Sequence, residues 1–304
     1  MNKKICLLTY NINIIGGANR RVLSLYKVLS KIYNVDIVSM RSYIDTSEKN
    51  LSLISKISRC QRLRKKLKNY NLIIAFSLLP SLLSLLNDTA HIFVSTGSSY
   101  YAKGTKFISR IIWTFILQPT IYCFTDAIVP ASPHLVPDIF KLLPIRKKIY
   151  YINGLIDIDR LTTDYFSNKL NQRELLKLPF ICFSSAITEH KGILDFIDVY
   201  AKYLKEAGTS ALNLLVIGSG PDLAKCYKKC ESLNITYSIK DFRNHKDCKV
   251  YFLGKNLNPI AILSKAYLFV MPTYYEGLSN QILEALFCNI PIYATNCKGN
   301  VELF

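Results

Sequence analysis

Tyr267 to Phe287 read YLFVMPTYYEGLSNQILEALF, and this stretch decides the fold of the second half of the chain. Its first residues, 267–270, form a short apolar run that predicts a buried strand. Apolar residues then recur at helical spacing from Ile282 onward, and Ser279 is a good N-cap for a helix that begins near Asn280. The stretch therefore predicts a strand, a sharp turn and a helix.

The turn between this strand and this helix suits an anionic ligand that carries a sugar. Backbone N–H groups at a helix start bind anions, and Gly277 lacks the Cβ atom that would keep a ligand off the backbone. Glu284 lies within the helix and can accept hydrogen bonds from vicinal hydroxyls such as those of a ribose. Glu276 precedes the cap and would face the reacting end. The alternative interpretation, two solvated surface glutamates, is equally compatible with the spacing.

Two glutamates separated by seven residues, a glycine after the first and a later Cys-x-x-Pro form a recognisable pattern. Its members are Glu276, Gly277, Glu284, Cys288 and Pro291. The pattern resembles the E-x7-E signature of the retaining, nucleotide-sugar-dependent glycosyltransferases of family 4. The resemblance is strong over residues 180–304 and loose over residues 1–160.

The resemblance implies a fold class: α/β, with two Rossmann-like domains facing across a cleft (GT-B type). Residues 1–160 would form the N-terminal, acceptor-binding domain. Residues 161–304 would form the C-terminal domain, which binds the nucleotide sugar. Polar residues at 159–177 predict a connection between the two. Family members continue past the position of Phe304, so we expect the C-terminal part to be truncated and its domain incomplete.

The resemblance also implies roles for individual residues. Glu276 and Lys191 would be catalytic, with Glu276 on the donor sugar and Lys191 on the diphosphate, where an ammonium offsets the charge of the leaving phosphate. Glu284 would hold the ribose. The family's arginine near Ser185 and Ala186 is missing, so another cation substitutes or donor affinity is lower. The other donor-binding residues would be Gly277, Leu278, Ser279, Gly218, Gly220, Gly16 and Gly17.

Four of these glycines lie in two turns that follow predicted strands. Gly218 to Pro221 follow one apolar run, and Gly16 and Gly17 follow another; such turns bring the backbone close to ligands in α/β folds. In the resembled family an acidic residue stands at the position of Asn19. A dinucleotide fingerprint is excluded for the later turn, because Leu223 occupies the place of its third glycine.

Short apolar runs that alternate with helical patterns predict a doubly wound parallel sheet in the first half. The predicted strands are 4–10, 35–39, 72–76, 91–94, 127–129 and 148–152, and a helix is predicted over 18–33. The segment Phe107 to Leu117 holds the single tryptophan among aliphatic residues. We expect it to be a buried core helix, with a segment at a bilayer surface as the alternative.

Basic residues are concentrated in the first half of the chain. Residues 1–150 hold 22 Lys and Arg against 6 Asp and Glu, a net charge of +16, whereas residues 151–304 have a net charge of +2. This imbalance indicates an anionic partner or surface. Lys56 to Lys68 alone carry seven basic residues, with Leu63 and Leu67 on an apolar stripe. This basic segment has three possible interpretations: a solvated surface helix, a site for anionic headgroups or a lipid-linked pyrophosphate, and, least favoured, a nucleic-acid site.

Half of the residues are hydrophobic and a fifth are charged, which is typical of a globular chain, and the length predicts about two domains. Nine cysteines without a Cys-x-x-Cys pair favour reduced thiols, and Cys226 and Cys230 are expected to pack in the core. No apolar run suits a signal peptide or a membrane span. We therefore expect a cytoplasmic protein, and the basic first half predicts that it is peripheral on the inner face of the cytoplasmic membrane. Neither metal nor cofactor is expected, because cationic side chains would act on the phosphates.

These observations predict a glycosyltransferase of bacterial surface-polysaccharide synthesis (lipopolysaccharide, capsule or exopolysaccharide). The donor would be a UDP- or GDP-sugar and the acceptor a glycan or lipid-linked glycan. A front-face mechanism is favoured over double displacement, because the first domain offers no obvious second carboxylate. The alternatives are a truncated, inactive relative that binds a nucleotide or a partner, a nicotinamide-dependent oxidoreductase, and a nucleic-acid-binding protein.

Overall fold

The computed structural model describes residues 3–13, 17–43, 53–94, 112–137, 148–152, 156–166, 179–239, 248–255 and 258–304. The chain divides into two compact units, the first ending at Ile156 and the second running from Asp157 to Phe304. Residues 157–160 thus belong to the second unit. Each unit is built on its own parallel sheet.

The first unit contains a six-stranded sheet of order β2-β1-β3-β4-β5-β6 in which all neighbours are parallel. Its strands are β1 (Lys4–Thr9), β2 (Asn34–Ser39), β3 (Leu72–Phe76), β4 (Ala90–Val94), β5 (Ala127–Val129) and β6 (Lys148–Ile149). Its described α-helices are α1 (Gly17–Leu29), α2 (Leu53–Leu67), α3 (Leu78–Ser84) and α4 (Gln118–Phe124). A π-helical turn, Trp113–Leu117, precedes α4, and 3-10 turns lie at Met40–Ser42 and Pro133–Leu135. The six predicted strands are confirmed.

Helices cover both faces of this sheet, which explains why β1 is apolar at nearly every position. Leu8 packs in a cluster with Leu63 and Leu67 of α2. Its neighbour Leu7 points to the opposite face and packs with Val22 of α1. Full burial of one leucine contributes about 2 kcal/mol. The predicted apolar stripe of the basic helix is confirmed at these two leucines.

The second unit contains a six-stranded sheet of order β12-β11-β7-β8-β10-β9, again with parallel neighbours throughout. Its strands are β7 (Phe180–Ser184), β8 (Asn213–Ile217), β9 (Tyr237–Ile239), β10 (Val250–Gly254), β11 (Leu268–Met271) and β12 (Ile292–Ala294). Its described α-helices are α5 (Ile158–Tyr165), α6 (Ile193–Ala207), α7 (Leu223–Ser232), α8 (Pro259–Leu263), α9 (Asn280–Phe287) and α10 (Lys298–Val301), with 3-10 turns at Glu189–Lys191 and Gly208–Ser210.

The core of the second unit lies between this sheet and helices α6 and α7. Cys226 and Cys230 of α7 are fully buried there, in one cluster with Tyr200 and Phe252. Burial raises the pKa of the Cys226 thiol to about 11 and that of Cys230 to about 12. Both therefore remain protonated at neutral pH, and the prediction that they are packing residues is confirmed.

The expectation of a buried core helix at residues 107–117 is wrong for the part that the structure describes. Residues 107–111 lie outside the described residues, but Phe115 is 68% exposed and Ile116 is 57% exposed. The buried side of this segment lies further along, at Ile121 and Tyr122 of α4. A run that is apolar on most sides has no clear polar face, so its sequence does not indicate which residues face solvent.

In the described parts of the chain, no helix combines the length and the apolarity that crossing a bilayer requires.

Candidate functional site

The order of strands in the second sheet identifies a ligand position. The chain enters the sheet at β7, proceeds outward through β8, and later returns to the other side of β7 with β11. Open parallel sheets bind ligands outside the carboxyl ends of the strands at such a reversal. The loops that leave β7 and β11 there are residues 185–192 and 272–279.

The two predicted catalytic residues meet at this reversal. Lys191 lies in the loop after β7 and Glu276 in the loop after β11, and the Lys191 Nζ atom forms an ion pair and hydrogen bond with Glu276 Oε1. Each side chain is only 12% exposed. The structure thus brings together a cation and a carboxylate that are 85 residues apart in the sequence.

Backbone contacts fix the two loops relative to each other. Thr273 is fully buried, and its Oγ1 atom lies 3.0 Å from the carbonyl oxygens of both His190 and Tyr275. The Tyr274 amide also donates to the His190 carbonyl, at 2.9 Å. The loop after β12 joins them, because Thr295 Oγ1 donates to the Thr273 carbonyl. The ion pair is therefore held by the main chain on both sides.

Two glycines make these close approaches possible. Gly192 has φ +70°, and a Cβ atom built on it would lie 1.9 Å from the Pro272 carbonyl oxygen. A Cβ atom on Gly299, in α10, would lie 2.2 Å from the Glu276 carbonyl oxygen. Any other residue at Gly192 would push apart the loops that carry Lys191 and Glu276, and any other residue at Gly299 would push α10 away from the loop that carries Glu276.

The turn after Glu276 has the predicted form. Ser279 caps α9, and its Oγ atom accepts a hydrogen bond from the Ile282 amide at 3.3 Å. Gly277 is buried and Leu278 is partly buried between the ion pair and the cap. The first amides of α9 have no carbonyl partner within the helix, as at every helix start. This turn places three amide-bearing residues next to Glu276.

Glu284 faces the interior of the second unit, not solvent. Its side chain is 6% exposed, and its Oε1 atom accepts a hydrogen bond from Arg160 Nη2 at 3.2 Å. The solvated-glutamate interpretation is therefore wrong for Glu284, and for Glu276 as well. Arg160 is absent from the predicted site residues, because the polar residues at 159–177 predict a connection between the domains. The available signal was local: Asp157 is an N-cap residue, and Arg160 and Asp164 have the i, i+4 spacing of a helical ion pair.

Gly218 and Gly220 lie at the carboxyl end of β8, where their role in packing is visible. A Cβ atom on Gly218 would lie 1.9 Å from the Ser185 carbonyl oxygen, and one on Gly220 would lie 2.0 Å from that of Ile187. The two glycines thus let this turn pack against the loop that leads to Lys191. Their contact with a nucleotide stays a prediction.

Ser185 is one of the two residues, with Ala186, that stand where the resembled family has its arginine. It is buried, and its Oγ atom has no hydrogen-bond partner among the described residues. His190 is half-buried, and its Nδ1 atom lies 3.1 Å from Thr188 Oγ1. Burial, followed by the charge of Lys191, lowers the pKa of His190, while Glu276 opposes this shift. A neutral imidazole at the edge of the site follows from these causes.

The corresponding reversal in the first sheet is at β1, between β2 and β3. Gly16 lies outside the described residues, and Gly17 begins α1. Asn19, at the acidic position of the resembled family, is buried; its Oδ1 atom accepts a hydrogen bond from Thr9 Oγ1 at 2.9 Å, and its Nδ2 atom donates to the Asn11 carbonyl at 2.5 Å. Here the amide closes a hydrogen-bond network between β1 and α1.

Within the described residues, no group of three or more His, Cys, Asp or Glu side chains converges in a way that would hold a metal ion. The sequence contains one pair of aspartates in Asp-x-Asp spacing, Asp157 and Asp159, a spacing that could suit a metal ion. Asp157 is the N-cap of α5, where its side chain accepts from the Arg160 amide, and Asp159 lies in the first turn. This motif therefore starts a helix, and the lack of a metal requirement stays a prediction.

Comparison with known proteins gives this site a family. Residues 179–304 match the family model described as Glycosyl transferases group 1. This segment is a group 1 glycosyltransferase domain. The group 1 domain contains Lys191, Glu276 and Glu284, whereas Arg160 precedes it.

Three relatives carry the name of glycosyltransferases. One from Methanocaldococcus jannaschii is 25% identical over 74% of this chain, and the match spans 53% of that protein, about half its length. The O-antigen biosynthesis glycosyltransferase WclY of Escherichia coli is 25% identical over 95% of this chain and 79% of its own. A Campylobacter jejuni enzyme named as a diphospho-undecaprenol 4-alpha-N-acetylgalactosaminyltransferase is 24% identical over 99% of this chain and 83% of its own.

Among solved structures, HepE of Anabaena in complex with UDP and glucose is similar to this chain. The TM-score is 0.72 at 14% sequence identity, over 99% of this chain and 83% of the HepE chain. At this identity the similarity establishes the fold. Together with the two parallel sheets it confirms the predicted fold class, two Rossmann-like domains of the GT-B type, with the group 1 domain as the second.

Proposed function

We propose that this chain transfers a sugar from a nucleotide diphosphate sugar, with a UDP- or GDP-sugar as donor, to a glycan or lipid-linked glycan, and that the anomeric configuration is retained. The observation that carries the proposal is the Lys191–Glu276 pair at the reversal of the second sheet. A largely shielded ammonium next to a largely shielded carboxylate, each 12% exposed, matches a ligand whose diphosphate is anionic and whose sugar presents hydroxyls. The match of residues 179–304 to the glycosyltransferase family supports it.

In this proposal each residue at the reversal contacts one part of the donor. Lys191 binds the diphosphate and offsets the charge that develops on the leaving phosphate as the bond to the anomeric carbon breaks. Glu276 accepts hydrogen bonds from the sugar hydroxyls, and the amides of Gly277, Leu278 and Ser279 add dipoles that favour negative charge. Glu284 accepts hydrogen bonds from the ribose hydroxyls.

Retention in this proposal follows a front-face course. The acceptor hydroxyl attacks the anomeric carbon on the face that the nucleoside diphosphate leaves, and its proton passes to a phosphate oxygen. Double displacement would need a second carboxylate within about 5.5 Å of the first. At the reversal the nearest charged neighbour of Glu276 that the structure describes is a lysine, which favours the front-face course.

The names of the relatives support an acceptor in bacterial surface-polysaccharide synthesis. One relative is named for O-antigen biosynthesis, and another for transfer to a diphospho-undecaprenol-linked sugar. A lipid-linked acceptor places the enzyme peripherally on the inner face of the cytoplasmic membrane. The net charge of +16 in residues 1–150 suits that surface, as do the exposed side chains of Phe115, Ile116 and Phe124.

A panel of UDP- and GDP-sugars tests the proposal. The purified chain is incubated with each donor and with membrane-extracted lipid-linked glycan, and both nucleoside diphosphate release and the anomeric configuration of the product are measured. Wild type should transfer one sugar with retention. Lys191→Ala and Glu276→Gln should each lose about 100-fold or more in kcat/KM, whereas Lys229→Ala, an ion-paired cation on α7, should leave it unchanged.

Nucleotide binding without transfer to any acceptor would overturn the proposed activity and favour the alternative, a module that binds a nucleotide or a partner. An inverted product would contradict retention alone.

A further inference from the structure

We propose that Arg160 is a positioning residue for nucleotide binding: its guanidinium holds the Glu284 carboxylate in the orientation that receives the ribose hydroxyls. This inference rests on the proposed function, since it concerns the nucleotide that the donor carries. Arg160 lies before the segment that matches the glycosyltransferase family, on the helix that begins the second unit.

The backbone of Arg160 and its guanidinium are both held by carboxylates. The Asp157 carboxylate caps α5 by accepting from the Arg160 amide at 3.1 Å, which places Arg160 in the first turn of the helix. Its Nη1 atom donates to Asp164 Oδ2 at 2.8 Å, and its Nη2 atom donates to Glu284 Oε1 at 3.2 Å. A planar guanidinium with two anchored nitrogens has little rotational freedom left.

Helix α5 is itself fastened to the body of the second unit. Leu161 is fully buried. The Asn258 side chain, at the start of α8, donates to the Asp164 carbonyl at 2.7 Å. The Tyr165 ring packs edge-on against Phe287 of α9, with centroids 6.1 Å apart. Helix α5, which carries Arg160, therefore packs against α9, which carries Glu284.

Burial explains why Glu284 needs this cation. The Glu284 side chain is 6% exposed, and a buried polar group is costly unless hydrogen-bond donors or charges are placed against it. Arg160 compensates it by donating to Oε1 at 3.2 Å, which also fixes the direction in which the carboxylate points. A carboxylate held in one orientation is a suitable hydrogen-bond acceptor for the two neighbouring hydroxyls of a ribose.

A purely structural role makes a different prediction from a positioning role. If Arg160 only stabilised α5, its removal would weaken the binding of every nucleotide equally. If it positions Glu284 for the ribose, its removal matters only when the ribose hydroxyls are present. Deleting the hydroxyls from the ligand therefore separates the two roles.

Isothermal titration calorimetry supplies the test. Wild type, Arg160→Gln, Arg160→Lys, Glu284→Gln and Lys229→Gln are each titrated with UDP, with GDP and with the 2′,3′-dideoxy forms of both. Lys229 is the matched control, because it also joins two helices, by an ion pair to Asp198 at 2.7 Å, with a side chain that is 33% exposed against 34% for Arg160.

We expect Arg160→Gln and Glu284→Gln to weaken binding of the ribonucleotide about tenfold or more, the size of one charge-assisted hydrogen bond. The affinity of these two variants for the dideoxy form should stay within about twofold of the affinity of wild type for the same dideoxy form. Arg160→Lys, which keeps the charge, should fall between, and Lys229→Gln should match wild type. Melting temperatures, measured for each variant, identify any that does not fold, and Arg160→Lys then carries the test.

Equal losses with the ribonucleotide and the dideoxy form would overturn the inference in favour of a structural role, as would undiminished binding by both Arg160 variants. In either case the proposed function stands if wild type transfers a sugar from one donor of the UDP- and GDP-sugar panel. If wild type binds neither UDP nor GDP, the proposed function fails and this inference fails with it.

Discussion

The sheets of the two units reverse their strand order in the same way, at β1 in the first and at β7 in the second, but the side chains at the two reversals differ. At the first, a neutral network joins Thr9, Asn11 and Asn19. At the second, Lys191 and Glu276 form an ion pair. The topology offers a ligand position twice, and the side chains decide its chemistry. Charges suit an anionic donor, whereas amides and hydroxyls suit neutral groups such as those of a sugar acceptor.

The two reversals also differ in how they are supported. The second depends on main-chain contacts between loops that only glycine permits, at Gly192 and Gly299. The first depends on side-chain hydrogen bonds between β1 and α1. Small changes should therefore damage the two positions by different mechanisms.

Gly192→Ala should damage the second reversal most. Its Cβ atom would clash with the Pro272 carbonyl, so the loops must separate, and we expect a loss of about 3 kcal/mol in the free energy of unfolding together with a loss of UDP or GDP binding. Gly208→Ala is the matched control at the other end of α6: it also has positive φ, +56°, but no atom within 4 Å of its Cβ position. It should cost about 1 kcal/mol. Urea denaturation measures both, and equal losses would contradict the role of the close approach.

Acid should damage the first unit instead. His91 of β4 is buried, and neither ring nitrogen has a hydrogen-bond partner among the described residues. Burial lowers its pKa to about 4, while the charge of Asp126 opposes this. Because its pKa in the unfolded chain is about 6.5, the unfolded state binds the proton more tightly, so the stability from neutral His91 is complete above pH 6.5 and is lost as the pH falls toward 4.

The loss amounts to at most about 3 kcal/mol over that range. Hydrogen–deuterium exchange of the amides of β1 and β3 at increasing urea concentration reports the unfolding of the first unit. We expect the midpoint to fall between pH 7.5 and pH 5 in wild type and to fall less in His91→Phe. The same pH dependence in both proteins would show that His91 is not the group responsible.

Asn19→Ala should have the smallest effect. It removes the hydrogen bonds to Thr9 and Asn11, at an expected cost of about 1–2 kcal/mol in the free energy of unfolding of the first unit. Asn69→Ala, on an exposed turn of the same unit, is the matched control and should be neutral. Nucleotide affinity should be unchanged in both variants. A loss of nucleotide affinity in Asn19→Ala would mean that the first reversal also contributes to donor binding.

The elements of the fold could be predicted because parallel strands covered on both faces are apolar at consecutive positions. The runs at β1, β3 and β7 carry that pattern, and Ser279 is a cap whose residue type and position are local features. The helix register near Phe115 could not be predicted, because an apolar run without alternation does not indicate which side is buried.

The site was predictable only in part, because its contacts are not local. The residue types of Lys191 and Glu276 were available from the sequence, but their ion pair depends on the order in which β7 and β11 enter the sheet. Arg160 and Glu284 are 124 residues apart, and only the packing of α5 on the second unit brings them together. Glycine is required at position 192 because of the nearby Pro272 carbonyl, and the sequence does not indicate that these two loops are in contact.

The most direct test of the central claim is the affinity of the chain for UDP and GDP when Lys191 is changed to glutamine, measured by calorimetry beside Lys229→Gln. If the second reversal binds the donor diphosphate through Lys191, the affinity of Lys191→Gln should fall about 10- to 100-fold, the range for one charge-assisted contact, with no change in Lys229→Gln. Equal affinity in the two variants, or no nucleotide binding by wild type, would contradict the account.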